Sequence, residues 1–288
     1  MRILLVVAVL LAVGNPVAGG NSLAAQRPSV VRLVNIAGPL VLNGWDRDSV
    51  AVRGAARLTV SGPRDAIRVD GGQAGNDAAE VFVPRHARIE VRGGGSLDAT
   101  GLDGELEVSA ATGRVRVEGA LRRVVVETFG GGGGAVGNVE IVGPHASVEV
   151  RTPDGTVVVR GVRGELLVTT TSGEILVGAA RVRRARLESV SGAVSFKGVV
   201  ERAGTLEAQS HAGDVELRVP PDVAATFELA APSGTVGSEF GDGGATRRFT
   251  TGDGGASIVA RSFKGRVSVV KQPGADVDLN ASGAAGIR

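Results

Sequence analysis

Glycines six residues apart, each pair bracketing an alternating apolar run, recur along this 288-residue chain. They enclose GRVRVEG at 113–119, GNVEIVG at 137–143, GTVVVRG at 155–161 and GAVSFKG at 192–198, and looser copies open at Gly173, Gly213, Gly234 and Gly265. The eight leading glycines are 24, 18, 18, 19, 21, 21 and 31 residues apart. Two and four residues after them stand Val115/Val117, Val139/Ile141, Val157/Val159, Ile175/Val177, Val194/Phe196, Val215/Leu217, Val236/Ser238 and Val267/Val269. Ser238 is the one polar residue in that series. The positions between vary freely, from Arg114 and Arg116 to Asp214 and Glu216. Such alternation marks a half-buried strand, because successive side chains leave opposite faces.

A second strand precedes each glycine. Seven, five and three residues before it come triplets such as Val148/Val150/Thr152, Leu166/Val168/Thr170, Ala185/Leu187/Ser189, Leu206/Ala208/Ser210 and Ile258/Ala260/Ser262. The side chain shrinks toward the turn, which predicts an interior that narrows there. The Gly137 copy fits once a glycine-rich insertion around 130–135 is set aside. The long gap before Gly265 reads as one coil plus an insertion carrying 241–245 and 252–256. Each unit is strand, turn, strand, connector in about 18–21 residues. One unit cannot bury its own apolar face, whereas stacked units can.

The expectation is therefore an all-β, single-chain β-solenoid over 104–271. A β-sandwich also produces short strands at regular spacing, but it does not require one residue class at one offset in eight successive units. Residues 26–103 are strand-like and less regular, with GPLVLNG at 38–44, and are read as an N-terminal β cap or first coils. Residues 272–288 are rich in Gly, Ala and Asp and read as a flexible tail.

Composition removes several function classes. With no Cys there is no disulfide scaffold, thiolate zinc site, iron–sulfur cluster or lipoprotein anchor. The net charge is +2, Arg and Glu are interspersed, and aromatics are 3% of residues. That is not the basic, aromatic-studded stripe of a nucleic-acid binder. At the start, Met1-Arg2 precedes an unbroken apolar run from Ile3 to Val13, then small residues to Ala24-Ala25. This is the layout of a signal peptide over 1–25, cut after Ala25 or Ala24, with Gly19 or Gly20 as the alternative. The run is too short to span a bilayer, and no second one follows. The mature chain is expected to be exported to the periplasm, cell surface or medium, without a transmembrane segment.

Asn43-Gly44-Trp45-Asp46 followed by Ser49-Val50-Ala51-Val52 resembles the opening of the bacterial "putative adhesin" family of β-strand repeats. So do the turns Ser172-Gly173, Ser191-Gly192 and Ser233-Gly234, and the run Gly213-Asp214-Val215-Glu216-Leu217 leading to Pro220. The resemblance covers most of 30–271. It implies an exported β-solenoid of unsettled function and carries no catalytic residues to transfer.

Candidate chemistry is sparse. Gly132, Gly134 and Gly137 satisfy G-x-G-x-x-G, but a dinucleotide site needs a helix next and a strand follows. Asp242 and Asp253, in GDGGA and GDGGAS, hint at calcium loops without the repeat such loops use, and read as plain turns. His86, His145 and His211 are far apart in sequence and read as exposed turn residues. Outward charges fall on shared offsets. Glu149, Leu167, Arg186, Glu207 and Glu228 form one row, and Arg151, Thr169, Glu188 and Gln209 another.

These rows suit a solvated face, or a mixed-polarity surface for a glycan or envelope protein. The expected function is a non-enzymatic, adhesin-like surface or envelope interaction module, with no cofactor, no metal and no assigned ligand residues. Two alternatives are a self-assembling envelope scaffold joined end to end, and a β-helix polysaccharide-degrading enzyme. The second would want a carboxylate pair and aromatic platforms.

Overall fold

The computed structural model describes residues 22–24, 30–54, 58–72, 77–129, 137–240 and 246–272. The signal-peptide reading, apart from 22–24, and the tail beyond Gln272 lie outside them. Among the described residues the secondary structure is all strand, wound as a β-solenoid with two facing parallel walls. Parallel pairing from coil to coil excludes the sandwich, whose sheets are antiparallel.

The first wall runs through Glu105–Ala111, Arg123–Thr128, Ser147–Thr152 and Arg163–Thr170, each in register with the next. The second runs through Val115–Gly119, Val139–Val142 and Val157–Arg160. Two long strands, Ile175–Ser189 and Val194–Ser210, begin in the second wall, turn a corner and continue in the first. Their bends fall at Ala179 and Ala203, both with positive φ. The inward positions read from the sequence form the core between the walls. Val148, Val150, Val157, Val159, Ile175, Val194 and Phe196 are buried, whereas Val236 and Ser238 of the end coil are half-buried.

Two ladders explain the turn residues. A Cβ on Gly173 would lie 1.9 Å from the Gly155 carbonyl oxygen, and one on Gly192 would lie 1.9 Å from that of Gly173. Stacked turns approach so closely that only a residue without a Cβ fits. Beside them runs a buried hydroxyl ladder. Ser189, Ser210 and Ser262 each accept the N–H of the glycine three residues on, at 2.8, 2.9 and 2.9 Å. Each also donates to the turn glycine carbonyl of the neighbouring coil, at 3.2, 2.9 and 2.7 Å. The shrinking side chain is therefore a turn cap that links coils, a more specific cause than a narrowing interior.

Coil order departs from chain order at both ends. The coil of Ala256–Ser262 and Val267–Lys271 lies between 205–219 and the earlier segment Ala225–Ala230/Val236–Ser238. The chain runs out to the end coil, adds Thr246–Thr251 as an antiparallel strand, and returns to fill the space behind. So 246–251 is not a loop insertion. It is the terminal strand of the stack. Ser238 belongs to this end coil, where the core is closed by Phe227 stacked with Phe249 at 4.7 Å and Phe240 at 5.6 Å. At the other end Val30–Val34 and Leu40–Trp45 sit inside Ala66–Asp70 and Ala79–Pro84. There Thr59–Ser61 and Ser49–Gly54 add antiparallel strands, and Ser22–Ala24 pairs antiparallel with Ser49–Ala51. Antiparallel terminal strands of this kind finish a stack that would otherwise present parallel edges.

Candidate interaction surface

The strand register decides which outward side chains meet. Glu149, Leu167, Arg186 and Glu207 lie on successive rungs as their offset implies. Glu228 does not adjoin Glu207, because Val259 of the returning coil stands between them. In the second row Arg151, Thr169, Glu188 and Gln209 are followed by Arg261. Alternating charges pair along and across rungs. Arg186 meets Glu188 at 2.6 Å and Glu207 at 3.9 Å, while Glu228 is held by Arg261 at 2.5 Å and Arg248 at 2.7 Å. The hydrogen bond from Arg261, then that from Arg248, holds the Glu228 carboxyl below the usual range.

Where the first wall meets its turns lies an open groove of about 500 Å³. Its polar side is the row Thr169, Glu188, Gln209 and Arg261. Its apolar side is formed by the residues that follow the hydroxyl ladder, Val190, His211 and Phe263. Val190 is 52% exposed and Phe263 46% exposed, high for such side chains. The His211 and Phe263 rings stack 5.1 Å apart and 6° from parallel, on neighbouring rungs. The hydroxyls of Ser189, Ser210 and Ser262 at the base of this edge are engaged by backbone groups on both sides, so none is free to pair with His211 as a nucleophile. Glu188 is the one carboxylate among the lining residues.

The other candidates separate. His86 is exposed and its Nδ1 lies 2.5 Å from Asp103. His145 is not an exposed turn residue: it is wholly buried. Its Nδ1 accepts the Leu121 N–H at 3.2 Å, so Nε2 carries the proton and donates to the Val142 carbonyl at 3.2 Å. Burial pushes its pKa down. Such a histidine is a structural corner, joining two connectors. Gly132, Gly134 and Asp242 lie outside the described residues. Gly137 opens the strand Val139–Val142, and Asp253 pairs with Arg202 at 2.5 Å. No group of His, Asp or Glu among the described residues is arranged to hold a metal ion.

Sequence reasoning missed the groove. Its signal was present as apolar or aromatic residues just after the hydroxyl position, at Phe129, Val190, His211 and Phe263, where a turn calls for polar ones.

No curated protein matches the chain. Several solved structures are similar, three of them as follows. A "putative adhesin" from Bacteroides fragilis is 10% identical, with 87% of this chain and 96% of that one covered at a TM-score of 0.36. A "putative cell adhesion protein" from Clostridium sporogenes is 8% identical, with 88% and 99% covered at 0.25. A "putative lipid binding protein" from Parabacteroides distasonis is 11% identical, with 88% and 96% covered at 0.36. Scores this low leave the three without weight as to what this chain does. Residues 105–240 match the model of the Toastrack DUF4097 family. Through that segment, and with its glycine-turned coils stacked as described, the chain is similar to the Toastrack DUF4097 family.

Proposed function

We propose that this chain is an exported, non-enzymatic interaction module of the cell envelope or surface, adhesin-like in the sense of binding without chemistry. The observation that carries the reading is the groove along the turn edge. It pairs exposed apolar side chains with a polar row, the combination that recognition surfaces use for area and orientation. Hydrolysis of a glycosidic bond asks for two carboxyl groups facing each other. The groove offers one, Glu188, already paired with Arg186. Export rests on the basic start and short apolar run at the head of the sequence.

The test uses the purified chain lacking its leader on isolated envelopes and a panel of envelope polysaccharides. Retention is scored together with release of new reducing or unsaturated ends. Retention without release is expected. Release of ends would overturn the non-enzymatic reading, and absence of retention on every surface would overturn the interaction reading.

A further inference from the structure

We infer that the groove is a binding site for an uncharged oligosaccharide chain lying along the solenoid axis, an inference that deepens the interaction reading and rests on it. Three observations favour this ligand class. First, Thr169, Glu188, Gln209 and Arg261 occupy consecutive rungs, which places a hydrogen-bonding group about every 4.8 Å. That interval is close to the length of one sugar residue in an extended chain. Acceptor, donor and amide side chains on successive rungs suit a polymer that presents hydroxyls at each unit.

Second, the opposite side of the groove is a ring ridge. Phe263 and His211 are stacked, and Phe263 keeps nearly half its surface exposed. The C–H face of a pyranose ring packs on such a surface without desolvating its hydroxyls, and a rigid ring loses little entropy in doing so.

Third, the charges in the groove cancel. Glu188 is held by Arg186 and Arg261 by Glu228, so neither is left to attract an ionic ligand. An anionic polymer would meet Glu188 with no surplus cation behind it. A peptide bound as an added strand would need a free strand edge for main-chain pairing. Here the backbone of every rung is already paired to the rungs on either side. An acyl chain would need an enclosed apolar cavity, whereas this groove is open and polar along one side.

The experiment is calorimetric titration of the leaderless chain with hexasaccharides of β-1,4-linked glucose and of β-1,4-linked N-acetylglucosamine. Phe263→Ala is compared with Phe129→Ala, an exposed Phe on the same edge outside the groove. At least one hexasaccharide is expected to bind. Affinity should fall tenfold or more in Phe263→Ala and stay within twofold in Phe129→Ala, with both variants melting like the parent. Unchanged binding in Phe263→Ala, or no binding of either probe, overturns the inference. Binding of anionic lipid vesicles that Phe263→Ala abolishes would overturn it in favour of a lipid ligand. If envelopes still retain the chain while no hexasaccharide binds, the groove assignment falls and the interaction reading survives. If envelopes fail to retain it too, both fall.

Discussion

Ser262 donates its hydroxyl proton to the carbonyl of Gly213 at 2.7 Å across 49 residues of sequence. The bond joins a coil near the end of the described chain to one that precedes it by two units, and it exists because the last coil returns inside the penultimate one. The same hydroxyl accepts the N–H of Gly265, so one buried atom both closes a turn and staples two coils.

That double use gives the hydroxyl ladder a measurable weight. Ser210→Ala leaves the Gly213 N–H and the Gly192 carbonyl without their partner in a buried place. Loss of about 1–3 kcal/mol of stability is expected, read from urea unfolding. Ser210→Thr should retain most of it, since Thr128, Thr152 and Thr170 hold the same row.

The glycine ladder should show a steric contrast. In Gly192→Ala the new methyl would lie 1.9 Å from the Gly173 carbonyl oxygen, backbone that is itself pinned in the stack. A cost of about 4 kcal/mol or more is expected. In Gly237→Ala nothing lies within 4 Å of the new methyl, and a gain of about 0.4–1 kcal/mol is expected from the stiffer unfolded chain. Equal effects at the two sites would contradict the close stacking of turns.

His145 makes stability depend on pH in a predictable direction. Its native pKa is depressed by burial, while the unfolded side chain titrates near about 6.5. The unfolded state therefore binds the proton more readily. The His145 contribution is complete above that value and is lost as pH falls below it toward the native pKa, by at most about 1.4 kcal/mol per pH unit. Unfolding midpoints of the parent and His145→Gln, compared at pH 8 and pH 5, should converge at the lower pH. Parallel curves would mean that the imidazole is not held neutral.

The exchanged coil order can be tested by cross-linking, since the chain has no cysteine of its own. Glu207 and Val259 are direct register partners, so the pair Glu207→Cys/Val259→Cys should oxidise readily. Glu207 and Glu228 are two rungs apart, about 9.6 Å, beyond the roughly 7 Å that a disulfide spans. The pair Glu207→Cys/Glu228→Cys should remain reduced. The opposite result would restore simple chain order.

The proposed cleavage of a leader would bear on one edge of the fold. Ser22–Ala24 pairs with Ser49–Ala51, so a cut after Ala25 removes that strand and a cut after Gly20 keeps it. If the chain is exported as proposed, sequencing its mature amino terminus is expected to find Gln26, or Ala25 if the cut follows Ala24. A terminus at Asn21 would retain the strand.

Residue pattern alone determined the solenoid, its inward rows and its turn glycines. Each of these follows from local alternation repeated at one offset, and stacking identical units has few other solutions. Ser238 even marked the end coil, as the single polar residue in an otherwise apolar inner row. Three features were decided only by tertiary structure. The return of 256–271 depends on which coil best fills the space behind Phe227, a choice made by packing at distance and invisible in spacing. The burial of His145 depends on Leu121 and Val142 arriving around it from another coil and from its own, where one N–H and one carbonyl make the neutral ring welcome. The groove arises because Val190, His211 and Phe263, scattered over some seventy residues, come to adjacent positions on one edge only when the coils are stacked in their actual order.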